Sequence, residues 1–84
     1  MSTFNLFVEA FKARVILKAN QGKTARIKEF DAIVNDIEMM HGAIPDIFRI
    51  RAYFIVCLSN KPNWGCRKVI EEFDYTVAKI RGDG

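Results

Sequence analysis

The chain is poor in the residues on which catalysis is usually built. It has one histidine, His41, and two cysteines, Cys57 and Cys66, with eight residues between them. The cysteines form no CxxC pair and have no histidine partners in their neighbourhood, so they read as two reduced thiols of an intracellular protein. Without a second histidine or a paired cysteine set, a metal site has too few ligands. Neither GxxxxGK[ST] nor GxGxxG occurs, which removes the familiar phosphate cradles. Glu71 and Glu72 are sequence neighbours on a helical segment and point about 100° apart. Asp36 and Glu38 are no better placed, so no carboxylate pair is suited to acid–base work. His41, at a helix end, reads as a surface or capping residue. These absences predict a non-enzyme that carries no metal and no cofactor.

Long apolar runs are missing too. The longest, Ala52–Leu58, is far short of the ~20 residues that span a bilayer. The opening "MSTFNLFVEAFK" has no basic leader, and Asn5 and Glu9 interrupt its apolar stretch, so it does not read as a secretory signal. The expectation is a soluble, cytoplasmic protein with no membrane partner.

What the chain does have is an ordinary globular composition and an uneven charge. Its 84 residues are half apolar and 27% charged, which fits a single domain over residues 1–84. A core of that size leaves little stability to spare, so a homodimer or a bound partner would help it. Residues 1–28 carry six basic groups, Lys12, Arg14, Lys18, Lys23, Arg26 and Lys28, against Glu9 alone. Residues 29–84 carry seven basic groups against nine acidic ones. The stretch "FKARVILKANQGKTARIKEF" therefore concentrates the positive charge, as a footprint for an anionic partner would. A solvated face that only keeps the protein in solution is the competing reading.

Periodicity supplies the expected fold. Residues 3–10 alternate, with Phe4, Leu6, Val8 and Ala10 on one face. Residues 11–19 alternate in the opposite phase, with Phe11, Ala13, Val15, Leu17 and Ala19 together, which asks for a bulge or a turn at Ala10–Phe11. "NQGK", Asn20–Lys23, reads as a turn with Gly22 at positive φ. Thr24–Lys28 reads as a third strand. "DAIVNDIEMMHG" reads as a helix with Asp31 at its N-cap, Gly42 at its end, and a stripe of Ile33, Val34, Ile37 and Met40. Residues 47–58 alternate again, with Phe48, Ile50, Ala52, Phe54, Val56 and Leu58 inward. A last helix runs from about Trp64 to Arg81, capped by Asn63, with Val69, Ile70, Phe73, Val77 and Ile80 at helical spacing. The predicted fold is α+β, in the order β-β-β-α-β-α. It has an antiparallel sheet of about four strands and two helices packed on one face. An all-α, four-helix reading with residues 4–19 and 46–59 helical stays open. It is disfavoured because Asn5, Glu9 and Lys12 would lie opposite Arg14 and Lys18 on a helical wheel, a distribution read as leaving no clean apolar stripe.

On the sheet reading, the uncovered face carries Lys12, Arg14, Lys18, Arg26, Lys28, Arg49 and Arg51, with Phe7, Ile16, Tyr53 and Ile55 among them and Lys23 in the adjoining turn. Cations attract phosphates, and aromatic rings stack on unpaired bases, so this face suits nucleic acid. It equally suits an acidic protein surface. The aromatic signature of RNA-recognition sheets is absent. On the all-α reading the same residues no longer share a side, and the basic face dissolves.

The hairpin "KARVILKANQGKTARIKEFDA" running into a short helix resembles small proteins of phages and mobile elements, among them anti-CRISPR proteins aimed at the type I-F surveillance complex (Csy, or Cascade). The resemblance covers roughly residues 3–58, in pattern. It implies a non-enzymatic inhibitor in the cytoplasm of a bacterial host. Such a protein binds Cas subunits, guide RNA or both through its basic face and blocks target DNA. The acidic, DNA-mimicking subtype does not fit a basic chain. Two rival expectations are a stand-alone RNA- or DNA-binding phage regulator and a structural or assembly subunit.

Overall fold

Four α-helices, with no strand among the described residues, stand in place of the expected sheet. The structure, a computed structural model, describes residues 2–18, 20–60 and 65–82. Helix α1 is Thr3–Leu17, α2 is Lys23–His41, α3 is Ile47–Asn60 and α4 is Cys66–Arg81. The α+β assignment is thereby corrected to an all-α bundle.

Each helix rests on one apolar stripe. In α1 the buried residues are Phe4, Phe7, Phe11 and Val15, spaced three, four and four apart. In α3 they are Ile47, Ile50, Phe54 and Leu58, with the same spacing. That is the period of a helix seam and not of a strand. The alternation misleads because apolar residues also lie on the outer sides. In α3, positions 50, 54 and 58 face the core, while 48, 52 and 56 face out. Two stripes offset by two residues read as one alternating strand. In α1, Leu6, Ile16 and Leu17 blur the stripe in the same way.

Local signals set the helix ends. The Ser2 hydroxyl accepts from the Asn5 N–H at 3.1 Å and caps α1, the role serine fills well. The turn at 20–22 takes its positive φ at Asn20 (63°) and not at Gly22, which is extended and caps α2. The expected third strand, Thr24–Lys28, is the first turns of α2. Asp31, expected as a cap, lies in mid-helix. Gly42 ends α2 with φ of 95°. Gly65 precedes α4, and Gly82 closes it in the left-handed region. The expected caps and starts at Asn63 and Trp64 lie outside the described residues.

Side-chain contacts give the topology. Phe4 lies under Arg81 and Lys12 pairs with Asp74, so α1 and α4 run antiparallel. Arg26 reaches the Val15 carbonyl, and the Thr3 hydroxyl donates to the His41 carbonyl, so α1 and α2 are antiparallel. Asp46 meets Arg81 and Cys57 meets Thr76, which does the same for α3 and α4. Each helix packs on its two neighbours in the cycle α1–α2–α3–α4–α1, the arrangement that short connections favour. At the centre, Phe7, Phe11, Phe30, Phe54 and Phe73 bring a ring from every helix together. The Phe11 ring lies 4.8 Å from Phe73 and 5.4 Å from both Phe30 and Phe54, centroid to centroid. Such tilted and edge-to-face pairs add to the burial of the rings themselves.

Candidate functional site

The ten candidate site residues, nine expected on one sheet face and Lys23 in the adjoining turn, are distributed over α1 and its C-cap Lys18, α2 and α3. Phe7 is fully buried, because it belongs to the α1 stripe and not to an outer face. Lys12 pairs with Asp74 at 2.8 Å. Arg14 and Lys18 both pair with Glu29, Arg14 at 3.5 Å. Arg51 makes a bidentate bond to Asp31, with Nε and Nη2 donating at 2.7 and 2.9 Å. That hydrogen bond holds Arg51 above the usual arginine range. Lys28 and Arg49 are exposed and make no ion pair among the described residues. Tyr53 is half exposed on α3. Lys23 opens α2, one turn before Arg26.

Four of these cations do gather, although not on a sheet. Arg14, Lys18, Lys23 and Arg26 lie where α1 ends and α2 begins. Within that group Arg26 is the exception to every rule of surface charge. It is 1% exposed, and its Nη1 donates to the Val15 carbonyl at a long 3.5 Å. Its Nε and Nη2 find no partner among the described residues. Burial pushes the guanidinium below the usual arginine range, while Cys66 and Glu29 pull it back.

The second assembly is the outer side of α3 with the adjoining edge of α4. Phe48 is 85% exposed and Val56 60% exposed, with Ala52 exposed between them. Spaced by four, they run along one side of α3. Beside them Tyr53 and Tyr75 flank Lys79, whose Nζ lies 5.4 and 6.0 Å from the two ring centroids. Arg49 completes the row. The sequence expectation named Arg49 and Tyr53 but put Phe48 and Val56 in the core and passed over Tyr75 and Lys79. The signal was present in the spacing 48, 52, 56, which is helical, once Ile50, Phe54 and Leu58 are recognised as the buried partners on the opposite side.

Among the described residues no cluster of three or more histidine, cysteine, aspartate or glutamate side chains is placed to hold a metal ion, and no pocket opens. Among the described residues no helix is long and apolar enough to cross a membrane. What the arrangement offers is an exposed aromatic and cationic surface. No protein-family model, curated protein or solved structure matches the chain.

Proposed function

We propose that the chain is a non-enzymatic binding protein that acts by occupying a surface of a protein or ribonucleoprotein partner. Its contact face is the outer side of α3 with the edge of α4. The observation that carries this reading is the exposed row of Phe48, Ala52 and Val56 beside Tyr53, Tyr75, Arg49 and Lys79. Single exposed apolar residues are ordinary, but a contiguous patch marks an interaction site. Tyrosine, phenylalanine and arginine are the residues enriched where interfaces hold most of their energy. Arg49 and Lys79 make no ion pair among the described residues. They favour a partner with acidic groups around an apolar centre.

The phage-inhibitor expectation is the particular form of this proposal, with Cas subunits and guide RNA of a type I-F complex as partner. The hairpin on which the resemblance was drawn is two helix segments here, so the form rests on size and surface alone. The test is binding to the purified, RNA-loaded complex, with Phe48→Ser and Arg49→Glu as variants. Loss of wild-type binding in both variants, at unchanged helicity, supports the reading. Undiminished binding in both refutes the face. A parallel salt series with naked single-stranded RNA and duplex DNA separates the stand-alone regulator. That protein binds without any Cas subunit, and steeply less as salt rises.

A further inference from the structure

The side of the bundle built by α1 and α2 carries apolar residues that the core does not use. On α1 they are Leu6, Ala10, Ala13 and Leu17, spaced four, three and four apart; on α2 they are Ala25, Ala32 and Met39, spaced seven apart. Each spacing keeps to one side of a helix. Leu17 is 80% and Met39 78% exposed, and Ala13 and Ala32 are exposed with them. The two stripes flank one seam. Arg14, which pairs with Glu29 across the helices, has Ala10 and Leu17 as neighbours on its own helix. Glu29 has Ala25 and Ala32 in the same relation. Beside the α2 stripe stand Lys28 and Asp36, both exposed and without an ion pair among the described residues. They are eight residues apart, about 12 Å along the helix, too far to pair with each other.

Both patterns read the same in either direction, and they share a centre. Leu6, Ala10, Ala13 and Leu17 keep their spacing and their chemistry when reversed end for end. Ala25, Lys28, Ala32, Asp36 and Met39 keep theirs too, with the lysine and the aspartate exchanged. The antiparallel register is set by Thr3 against His41 and Arg14 against Glu29. It puts Ala32 level with residues 11–12, midway between Ala10 and Ala13. A two-fold axis across both helices at that level lays Leu6 on Leu17 of a second copy, alanine on alanine at the centre, and Lys28 on Asp36. An interface between identical subunits needs this property, a patch complementary to itself under two-fold rotation.

We infer that the α1–α2 side joins two copies of the chain in a two-fold dimer, each helix antiparallel to its counterpart. Charge decides for a second copy over an unlike partner, because each unpaired charge finds its opposite at the symmetry-related position, and the pair forms twice. The central alanines let the helices approach closely, since side-chain size at the contact sets the distance between axes. Leucine and methionine at the ends then leave water. The cycle α1–α2–α3–α4 puts this side across the bundle from the α3–α4 face. The dimer therefore leaves both of those faces free, and the inference stands whether or not they bind a partner.

The test is sedimentation velocity of the full chain over a series from micromolar to near-millimolar concentration. The wild type is expected to sediment as a dimer at the upper end, and a monomer throughout overturns the proposal. Lys28→Asp and Asp36→Lys each set like charges against one another twice, and each should weaken the dimer roughly tenfold or more. Mixed in equal amounts, the two variants regain both opposite-charge pairs in a heterodimer, which should form at close to wild-type affinity. Ala32→Glu sets two carboxylates together on the axis and should leave a monomer. A dimer indifferent to these changes, or a mixture no tighter than its components, overturns the face. Phe48→Ser, on the other side of the bundle, should leave the dimer intact. Loss of the dimer in that variant would move the second copy onto α3 and overturn the α1–α2 assignment. All four positions are exposed, so each variant should keep the wild-type fold, which circular dichroism checks.

Discussion

Replacing Arg26 by methionine should make the protein more stable, not less. The guanidinium is buried at 1% exposure, and its one hydrogen bond, to the Val15 carbonyl, spans 3.5 Å. A hydrogen bond of that quality returns at most ~1.5 kcal/mol. Burying an arginine charge costs several kcal/mol even after relaxation. Glu29 offsets part of this from a carboxylate that two other cations already occupy. Methionine keeps most of the stem's length and flexibility, and it removes the charge. The expected net gain is about 1–3 kcal/mol, in line with other buried charges replaced by apolar residues. For a domain of this size each kcal/mol moves the midpoint by about 4–8 °C. The assay is urea and thermal unfolding followed by circular dichroism, with an unchanged denaturant slope to show that the same transition is being read. Arg26→Ala should move the other way, because it also deletes the stem and opens a cavity. If Arg26→Met is less stable than the wild type in chloride buffer, the guanidinium is better satisfied than the geometry implies. The reasoning would then be wrong.

Three further outcomes follow from the same structure. Phe11→Ala, at the middle of the ring cluster, should cost about 3–5 kcal/mol. That is a large share of the stability available to 84 residues, and a urea midpoint close to zero would show it. Phe48→Ser, at a site 85% exposed, should leave stability within about 0.5 kcal/mol of wild type; a loss above 2 kcal/mol by urea titration would place Phe48 in a core. A double-mutant cycle between Asp31 and Arg51 should give a coupling of no more than about 1 kcal/mol despite its bidentate geometry, because both groups are partly solvated.

The helices were legible where apolar spacing was helical and nothing competed with it. The stripe of Val69, Ile70, Phe73, Val77 and Ile80 was read as a helix, and α4 is one. The end of α2 at Gly42 was likewise read from a glycine that tolerates its φ of 95°. The strand expected over residues 47–58 has a physical reason in the structure. Phe48, Ala52 and Val56 sit two residues out of phase with Ile50, Phe54 and Leu58, and a helix apolar on both sides produces the same alternation as a half-buried strand. In α3 the residues that imitate a strand, Phe48, Ala52 and Val56, are also those that mark the candidate contact face. The run of positive charge over residues 1–28 was legible in the sequence, but the single basic face expected from it does not form. Its geometry was not legible, because nothing in local spacing distinguishes a buried Arg26 from the exposed Lys28 two residues on. That distinction comes from the helix stripe of Arg26, Phe30 and Ile33.

The five phenylalanine rings at the centre have a consequence for how the molecule opens. Each helix contributes at least one ring, so no helix can detach without exposing aromatic surface from the other three. Local openings are therefore confined to the helix ends, and the middle turns should release their amide protons only by unfolding of the whole chain. Hydrogen–deuterium exchange should find one slow class shared by the amides around Phe11, Phe30, Phe54 and Phe73, with a common free energy equal to that of global unfolding.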